Sequence, residues 1–179
     1  MPTSTCIVLV LALLVGQLES PLFAQSLFID QPVEKRESPP DTVLGHVGST
    51  KVLIDYSRPY VKGRKIWGEL VPYDKIWRTG ANEATVFEVS KDVKIEGQAL
   101  PAGKYALFTE PGESEWRIIF NSKWDQWGVE QYEEKNNVLV IKVKAKKSPS
   151  FTEQFTFYIV NKRVFFRWEN MEIGFKVSE

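Results

Sequence analysis

From residue 42 onward, apolar side chains recur at every second position over much of the chain. Successive side chains of a β-strand point to opposite faces, so this alternation predicts strands with one face turned towards a core. No segment carries a long stripe of apolar residues at the spacing of a helix. We therefore expect an all-β domain. The alternation is clearest in residues 52–56, 139–145, 155–159, 164–168 and 171–177.

Turn-forming residues separate the alternating segments at short intervals. Glu96-Gly97, Asn161-Lys162 and Glu169-Asn170 each stand between two such segments, and residues of these types favour tight reversals between strands. Short strands with turns roughly every 8–12 residues are typical of sandwiches and barrels. The sequence therefore predicts an antiparallel β-sandwich over residues 39–179, either jelly-roll-like or partly closed into a barrel.

Two aromatic-rich segments interrupt the strand rhythm. The first connection (residues 57–82) and the second connection (residues 121–137) are both too long to be turns. Long connections in compact domains are uncommon unless they are functional or packed by their own side chains. A short helix is expected in the second connection. If the domain has a local site, we expect it in these two segments.

The first 24 residues have the pattern of a signal peptide. The apolar run Ile7–Gly16 is followed by Leu22-Phe23-Ala24, with a small residue at a plausible cleavage point. The run is shorter than the roughly 20 apolar residues of a membrane span, although the residues before it carry no positive charge, and a retained anchor is the alternative. Residues 25–38 are predicted to be a flexible tether. We expect export to the periplasm, the cell envelope or the extracellular space, with no other membrane association.

Composition excludes several classes of function. The chain contains one cysteine, Cys6, and one histidine, His46. This argues against a disulfide framework, a Cys/His zinc cluster and a thiol nucleophile in the mature chain, so we expect no metal and no cofactor. Beyond the signal peptide, 23 basic and 22 acidic residues nearly balance. That balance argues against nucleic acid or an anionic membrane as the main partner.

Four motifs give the chain a family resemblance. They are Asp55-Tyr56-Ser57-Arg58-Pro59, Arg78-Thr79-Gly80-Ala81-Asn82-Glu83, Leu100-Pro101-Ala102-Gly103-Lys104-Tyr105 and Gln126-Trp127-Gly128. On these motifs the chain resembles, from about Glu37 to Val177, the bacterial family known as domain of unknown function 2911. The resemblance implies an exported, β-rich protein and no established activity or cofactor. Some relatives carry a histidine in the stretch 38–41, where this chain has Pro40.

Basic, amide and aromatic side chains concentrate in and beside the two connections. Arginine forks suit planar oxyanions, and exposed indole rings can stack on sugars. This combination predicts a non-catalytic binding module for a polar or anionic ligand such as a saccharide. The candidate ligand-binding residues are Arg58, Arg64, Trp67, Trp77, Arg78, Asn82, Glu83 and Trp127.

Other interpretations of the same residues stay open. The three arginines could pair with acids such as Asp55, Glu69 or Glu83 and fix the first connection to the sandwich. The tryptophans of the two connections could close one end of the core. Asp55 and Glu83 could also act as the two carboxyl groups of a glycan hydrolase. An envelope scaffold without a small ligand is the remaining alternative.

Overall fold

The computed structural model describes residues 35–179; the predicted signal peptide and residues 25–34 of the predicted tether lie outside the described residues. Ten strands within residues 35–179 form two antiparallel sheets, so the predicted β-sandwich is confirmed. The strands are β1 (Pro40–Val47), β2 (Thr50–Ser57), β3 (Val86–Val89), β4 (Val93–Ile95), β5 (Gln98–Leu100), β6 (Gly103–Glu110), β7 (Glu115–Asn121), β8 (Asn137–Lys144), β9 (Lys146–Val160) and β10 (Arg163–Ser178).

Strands that are neighbours in a sheet are mostly neighbours in sequence. One sheet has six strands in the order β1-β2-β3-β6-β7-β8, and the other has four in the order β5-β4-β10-β9. After β3 the chain leaves the larger sheet for the β4–β5 hairpin and returns with β6. Neither sheet closes on itself. Within residues 35–179 no helix is long and apolar enough to cross a membrane.

The core lies between the inner faces of the two sheets, as the alternation predicts. On β2, Val52, Ile54 and Tyr56 are buried, whereas Lys51 and Asp55 are exposed and Leu53 is half-buried. The largest fully buried side chains are mainly aromatic, so ring packing fills most of the interior. Those in the core between the sheets include Trp116, Trp168, Phe87, Phe120, Phe155, Phe157, Phe166 and Phe175.

Two predicted hairpin turns are confirmed. Glu96 and Gly97 both have positive φ, at 48° and 84°, between paired strands β4 and β5. Asn161 and Lys162 also have positive φ, at 50° and 61°, between β9 and β10. Two consecutive residues with positive φ match the right-handed twist of the strands that they join.

The turn predicted at Glu169-Asn170 is wrong. β10 continues through these residues, and both sides of the position pair with the same partner strand: Arg167 opposite Thr156, and Met171 opposite Lys147. The register shifts between them, and Glu169 has a φ of 52°. The turn-forming residue therefore makes a bulge, which bends the ribbon without reversing it.

A second, smaller apolar cluster covers part of the outer face of the six-stranded sheet. On β6, Tyr105 and Leu107 face the main core, so Ala106 and Phe108 point to the opposite side. Side chains from both connections pack there, and the second connection contains a single 3₁₀ turn at Glu134–Asn136. The outer cluster is Ala84, Ala106, Phe108 and Ile119, with Ile76, Val129, Tyr132 and Val140 packed against it.

Candidate functional site

An open groove of about 590 Å³ lies on the outer face of the six-stranded sheet, beside the outer cluster. Its floor is a cross-strand row in which Thr42 on β1 faces Asp55 on β2, and Asp55 faces Val86 on β3. The second connection forms its wall. The wall residues are Trp124, Asp125, Gln126, Trp127 and Gln131.

Carboxylates dominate the charge of the groove. Asp41, Asp55, Glu83 and Asp125 line it, and Arg36 is the single cationic side chain among the described lining residues. The Thr42 hydroxyl donates a hydrogen bond of 2.7 Å to Asp55 Oδ1. Among residues 35–179, Asp55 and Asp125 have no ion-pair partner. The groove is therefore an acidic surface with incomplete charge compensation.

Arg36 reaches the groove from the segment before β1. Its Nη1 donates to both carboxylate oxygens of Glu83, at 2.7 and 2.8 Å. The Arg36 side chain is only 11% exposed, whereas that of Glu83 is 49% exposed. The Ser38 carbonyl oxygen accepts a hydrogen bond of 3.1 Å from Asn82 Nδ2. The last residues of the predicted tether thus contact the domain before its predicted boundary at residue 39.

The loop 78–83, which presents Glu83, has a strained backbone. Thr79 has a φ of 53° and Asn82 a φ of 59°, and the left-handed conformation is unfavourable for a β-branched residue such as threonine. Surrounding hydrogen bonds hold the loop in place. The Thr85 hydroxyl donates to the Thr79 carbonyl at 2.8 Å, and Asn82 Nδ2 donates to Ser57 Oγ at 3.2 Å. Such strain is concentrated at functional sites in proteins.

Backbone hydrogen bonds join this loop to the second connection. Glu83 forms an isolated antiparallel bridge with Trp127. The Gly128 amide donates to the Asn82 carbonyl at 3.1 Å, and the Ala84 amide donates to the Gln126 carbonyl at 3.0 Å. Two segments that are distant in sequence therefore meet at one edge of the groove.

Both tryptophans of the groove wall are partly exposed. Trp124 is 40% exposed and Trp127 is 51% exposed. The ammonium group of Lys104 lies 5.1 Å from the centroid of the Trp124 ring. Large aromatic side chains are usually more buried than this. The wall consequently offers apolar ring surface next to carboxylates.

Gln126 adds a buried hydrogen-bond acceptor to the groove. Its side chain is almost fully buried, and Nε2 donates to the Lys123 carbonyl. Its Oε1 is buried and has no hydrogen-bond partner among the described residues. A buried acceptor without a donor is unfavourable. A ligand that donates a hydrogen bond there would remove this cost.

The structure brings two of the eight predicted ligand-binding residues, Glu83 and Trp127, to the groove. Arg58 instead joins β2 to β9: its Nε donates to the Phe155 carbonyl at 3.0 Å, and its Nη2 donates to Thr156 Oγ1 at 2.7 Å. Arg58 also pairs with Asp41 at 3.3 Å. It therefore stabilises the sandwich, with a partner other than the acids that the sequence suggested.

Arg64 and Arg78 also lie away from the groove lining. Arg64 is exposed, and its guanidinium donates to the carbonyl oxygens of Tyr60 and Val61, which closes a local turn. Arg78 is half-buried, and its Nε has no hydrogen-bond partner among the described residues. Burial lowers the pKa of the Arg78 guanidinium, and the nearby negative charge of Glu130 opposes that change.

Trp67 and Trp77 are core residues. They are 8% and 9% exposed and pack with Trp116 and Trp168 between the sheets. Trp67 lies edge-on to Trp116 at a ring distance of 5.0 Å, and Trp77 stacks on Trp168 at 5.9 Å. Asn82, through its two hydrogen bonds, supports the 78–83 loop. None of these three residues lines the groove.

Sequence reasoning missed most of the groove. The alternation of β2 already places Asp55 on the outer face, but the pairing that brings Thr42 and Val86 beside it depends on register. Gln126 belongs to the Gln126-Trp127-Gly128 motif, but nothing in that motif indicates that Gln126 lines a groove, and Arg36 belongs to no motif. Within residues 35–179, no three His, Cys, Asp or Glu side chains form a group that could hold a metal ion.

The fold and the groove define a class of protein: an antiparallel β-sandwich with an acidic, tryptophan-walled groove on one outer face. The family model described as "Protein of unknown function (DUF2911)" matches residues 38–177, and the chain belongs to this family. The resemblance found in the sequence motifs is thereby confirmed. No curated protein and no solved structure matches the chain.

Proposed function

We propose that this protein is a non-catalytic saccharide-binding module and that the acidic groove is its binding site. The observation that carries the proposal is the pairing of exposed indole rings with hydrogen-bond acceptors on one wall. Sugar rings present an apolar face that packs on aromatic rings and hydroxyl groups that donate hydrogen bonds. The groove volume of about 590 Å³ is in the range of small-molecule sites.

The hydrogen-bonding character of the groove matches a ligand rich in donors. Ionised carboxylates only accept hydrogen bonds, and Asp55 and Asp125 lie in the groove without an ion-pair partner among residues 35–179. The free Oε1 of Gln126 is a further acceptor. Saccharide hydroxyls would donate to the carboxylate oxygens directly, and to Gln126 Oε1 once a movement of this buried side chain exposes it.

The charge of the groove favours a neutral or cationic ligand. The sequence predicts a polar or anionic ligand, and the anionic alternative depends on Arg58, Arg64 and Arg78. Two of these guanidiniums donate to oxygens of the protein, and none of the three lines the groove. An anionic ligand stays a prediction without support from the groove geometry. The predicted export signal, for its part, would bring the domain into contact with envelope or extracellular glycans.

Binding of an oligosaccharide panel to the purified protein, with affinities from isothermal titration calorimetry, tests the proposal. We expect at least one neutral or amino-sugar oligosaccharide to bind, and Trp127→Ala to weaken that binding about tenfold by removing a stacking surface. Phe151→Ala is the matched control, because Phe151 is 55% exposed and lies outside the groove lining. Equal affinities for the two variants, or no binding by the wild-type protein, would contradict the proposal.

A glycan hydrolase is the second candidate, since Asp55 and Glu83 both line the groove. Glycosidases use two carboxyl groups on opposite sides of the bond that they cleave. Both oxygens of Glu83, however, accept hydrogen bonds from Arg36. We expect no turnover of chromogenic glycosides. If the wild-type protein turns over a glycoside and both Asp55→Asn and Glu83→Gln reduce that turnover by a factor of about 100 or more, the protein is a hydrolase and the proposed non-catalytic function is wrong.

A further inference from the structure

We infer that the groove selects saccharides with a free amino group, and that Arg36 occupies the position that the ligand ammonium would take. The inference rests on the proposed function and narrows its ligand class. Its starting observation is a cation already placed in the groove. Nη1 of Arg36 lies 2.7 and 2.8 Å from the two carboxylate oxygens of Glu83. Only 11% of the Arg36 side chain is exposed to solvent.

The surroundings of this ion pair contain more negative charge than Arg36 compensates. Asp41, Asp55 and Asp125 line the same groove. Asp41 forms an ion pair with Arg58, whose Nη1 lies 3.3 Å from Asp41 Oδ2. Asp55 and Asp125 have no ion-pair partner among residues 35–179. A ligand with a positive charge would therefore gain more in this groove than a neutral ligand of equal size.

A second observation, independent of the carboxylates, points to a hydrogen-bond donor. Gln126 is 6% exposed, lines the groove, and holds its Oε1 without a partner among the described residues. An ammonium group carries three donors and no acceptor. The N-acetyl group that replaces it in acetylated sugars carries one N–H and brings a carbonyl acceptor towards a surface made of acceptors. The free amine therefore fits the groove better than the acetamide.

A ligand ammonium that contacts both oxygens of Glu83 from the same side would take the position that Arg36 Nη1 holds. The Arg36 segment is attached to the domain through Asn82 as well, because Asn82 Nδ2 donates to the Ser38 carbonyl at 3.1 Å. Displacement of Arg36 thus opposes binding of the amino sugar. Removal of the Arg36 guanidinium is expected to strengthen binding of an amine and to leave binding of its acetylated counterpart unchanged.

The test compares three trimers at weakly acidic pH: a glucosamine trimer with free amines, its fully N-acetylated counterpart, and cellotriose. Each is titrated into the wild-type protein, Arg36→Ala and Lys35→Ala by calorimetry. Lys35→Ala removes the same charge from the neighbouring exposed residue and is the matched control. For the wild type we expect the amine trimer to bind about tenfold more tightly than the acetylated trimer. Arg36→Ala should widen this ratio about tenfold, whereas Lys35→Ala should leave it unchanged.

Each outcome separates the inference from the proposed function. If cellotriose and the acetylated trimer bind as well as the amine trimer, the amino selectivity is wrong and saccharide binding stands. If Arg36→Ala strengthens all three trimers equally, Arg36 only covers the groove and does not mimic an ammonium. If no trimer binds, agmatine, which carries a guanidinium and an ammonium group and no sugar, is titrated into Arg36→Ala. Binding of agmatine would then support a cation-binding position in the groove and contradict saccharide binding. Absence of agmatine binding would contradict both hypotheses. The comparison of the three trimers in the wild-type protein does not depend on whether any variant folds.

Discussion

Tyr56 connects the groove to the core. Its ring is buried between the sheets, and its hydroxyl donates to Asp41 Oδ2 at 3.2 Å on the groove side. The same hydroxyl accepts a hydrogen bond of 3.1 Å from the backbone amide of Phe157 on β9. One side chain thus links β2 of the larger sheet to β9 of the smaller one, and holds a groove carboxylate in place.

Tyr56 also makes stability depend on pH in the alkaline range. Burial raises the pKa of Tyr56 from 10.0 to about 12, and the negative charge of Asp41 adds to this effect. Above pH 10 the unfolded chain releases the phenolic proton while the folded protein keeps it. The unfolded state then binds fewer protons, so the free energy of unfolding falls as the pH rises from about 10 to about 12. Below pH 10 this contribution is fully present.

We predict that Tyr56→Phe lowers the free energy of unfolding by about 1–3 kcal/mol at neutral pH, because the Phe157 amide loses its acceptor. The variant should also show a smaller alkaline decline than the wild type. Urea unfolding at neutral pH and near pH 11 measures both effects. Tyr60→Phe is the control, since the Tyr60 hydroxyl makes no hydrogen bond with any described residue. An alkaline decline identical in Tyr56→Phe and the wild type would contradict the assigned role.

At the scale of single elements, the sequence predicts the turns and burial patterns that depend only on residues adjacent in the chain. The Glu96-Gly97 and Asn161-Lys162 hairpins follow from turn chemistry alone, and the burial of β2 follows from its alternation. Glu169-Asn170 shows the limit of such local signals. A positive φ serves a bulge as well as a turn, and only pairing with β9 decides between them.

The candidate site depends on contacts between distant elements, which residue spacing does not encode. Arg58 lies three residues from Asp55 in sequence, yet it pairs with Asp41, because β1 runs antiparallel to β2 and brings Pro40 opposite Ser57. Trp67 and Trp127 are each followed by a glycine within a long connection, but one is 8% and the other 51% exposed. Glu83 and Trp127 reach the groove through a backbone bridge between the 78–83 loop and the second connection.

At the scale of the whole molecule, the first connection is part of the interior. It inserts Trp67 and Trp77 between Trp116 of the six-stranded sheet and Trp168 of the four-stranded sheet. The indole nitrogens of Trp67, Trp116 and Trp168 are buried and have no hydrogen-bond partner among residues 35–179. Ring packing therefore holds this cluster together. The only cysteine of the chain is Cys6, so no disulfide within one chain assists it.

The division between core and groove tryptophans gives a prediction for the whole domain. Trp67→Ala should lower the free energy of unfolding by about 3–5 kcal/mol, because it opens a cavity among packed rings. Trp127→Ala should change it by no more than about 0.5 kcal/mol, because that ring is half exposed. Urea unfolding followed by circular dichroism measures both without relying on tryptophan emission. Comparable losses of stability in the two variants would mean that Trp127 supports the fold, and saccharide binding could then not be inferred from its exposed ring.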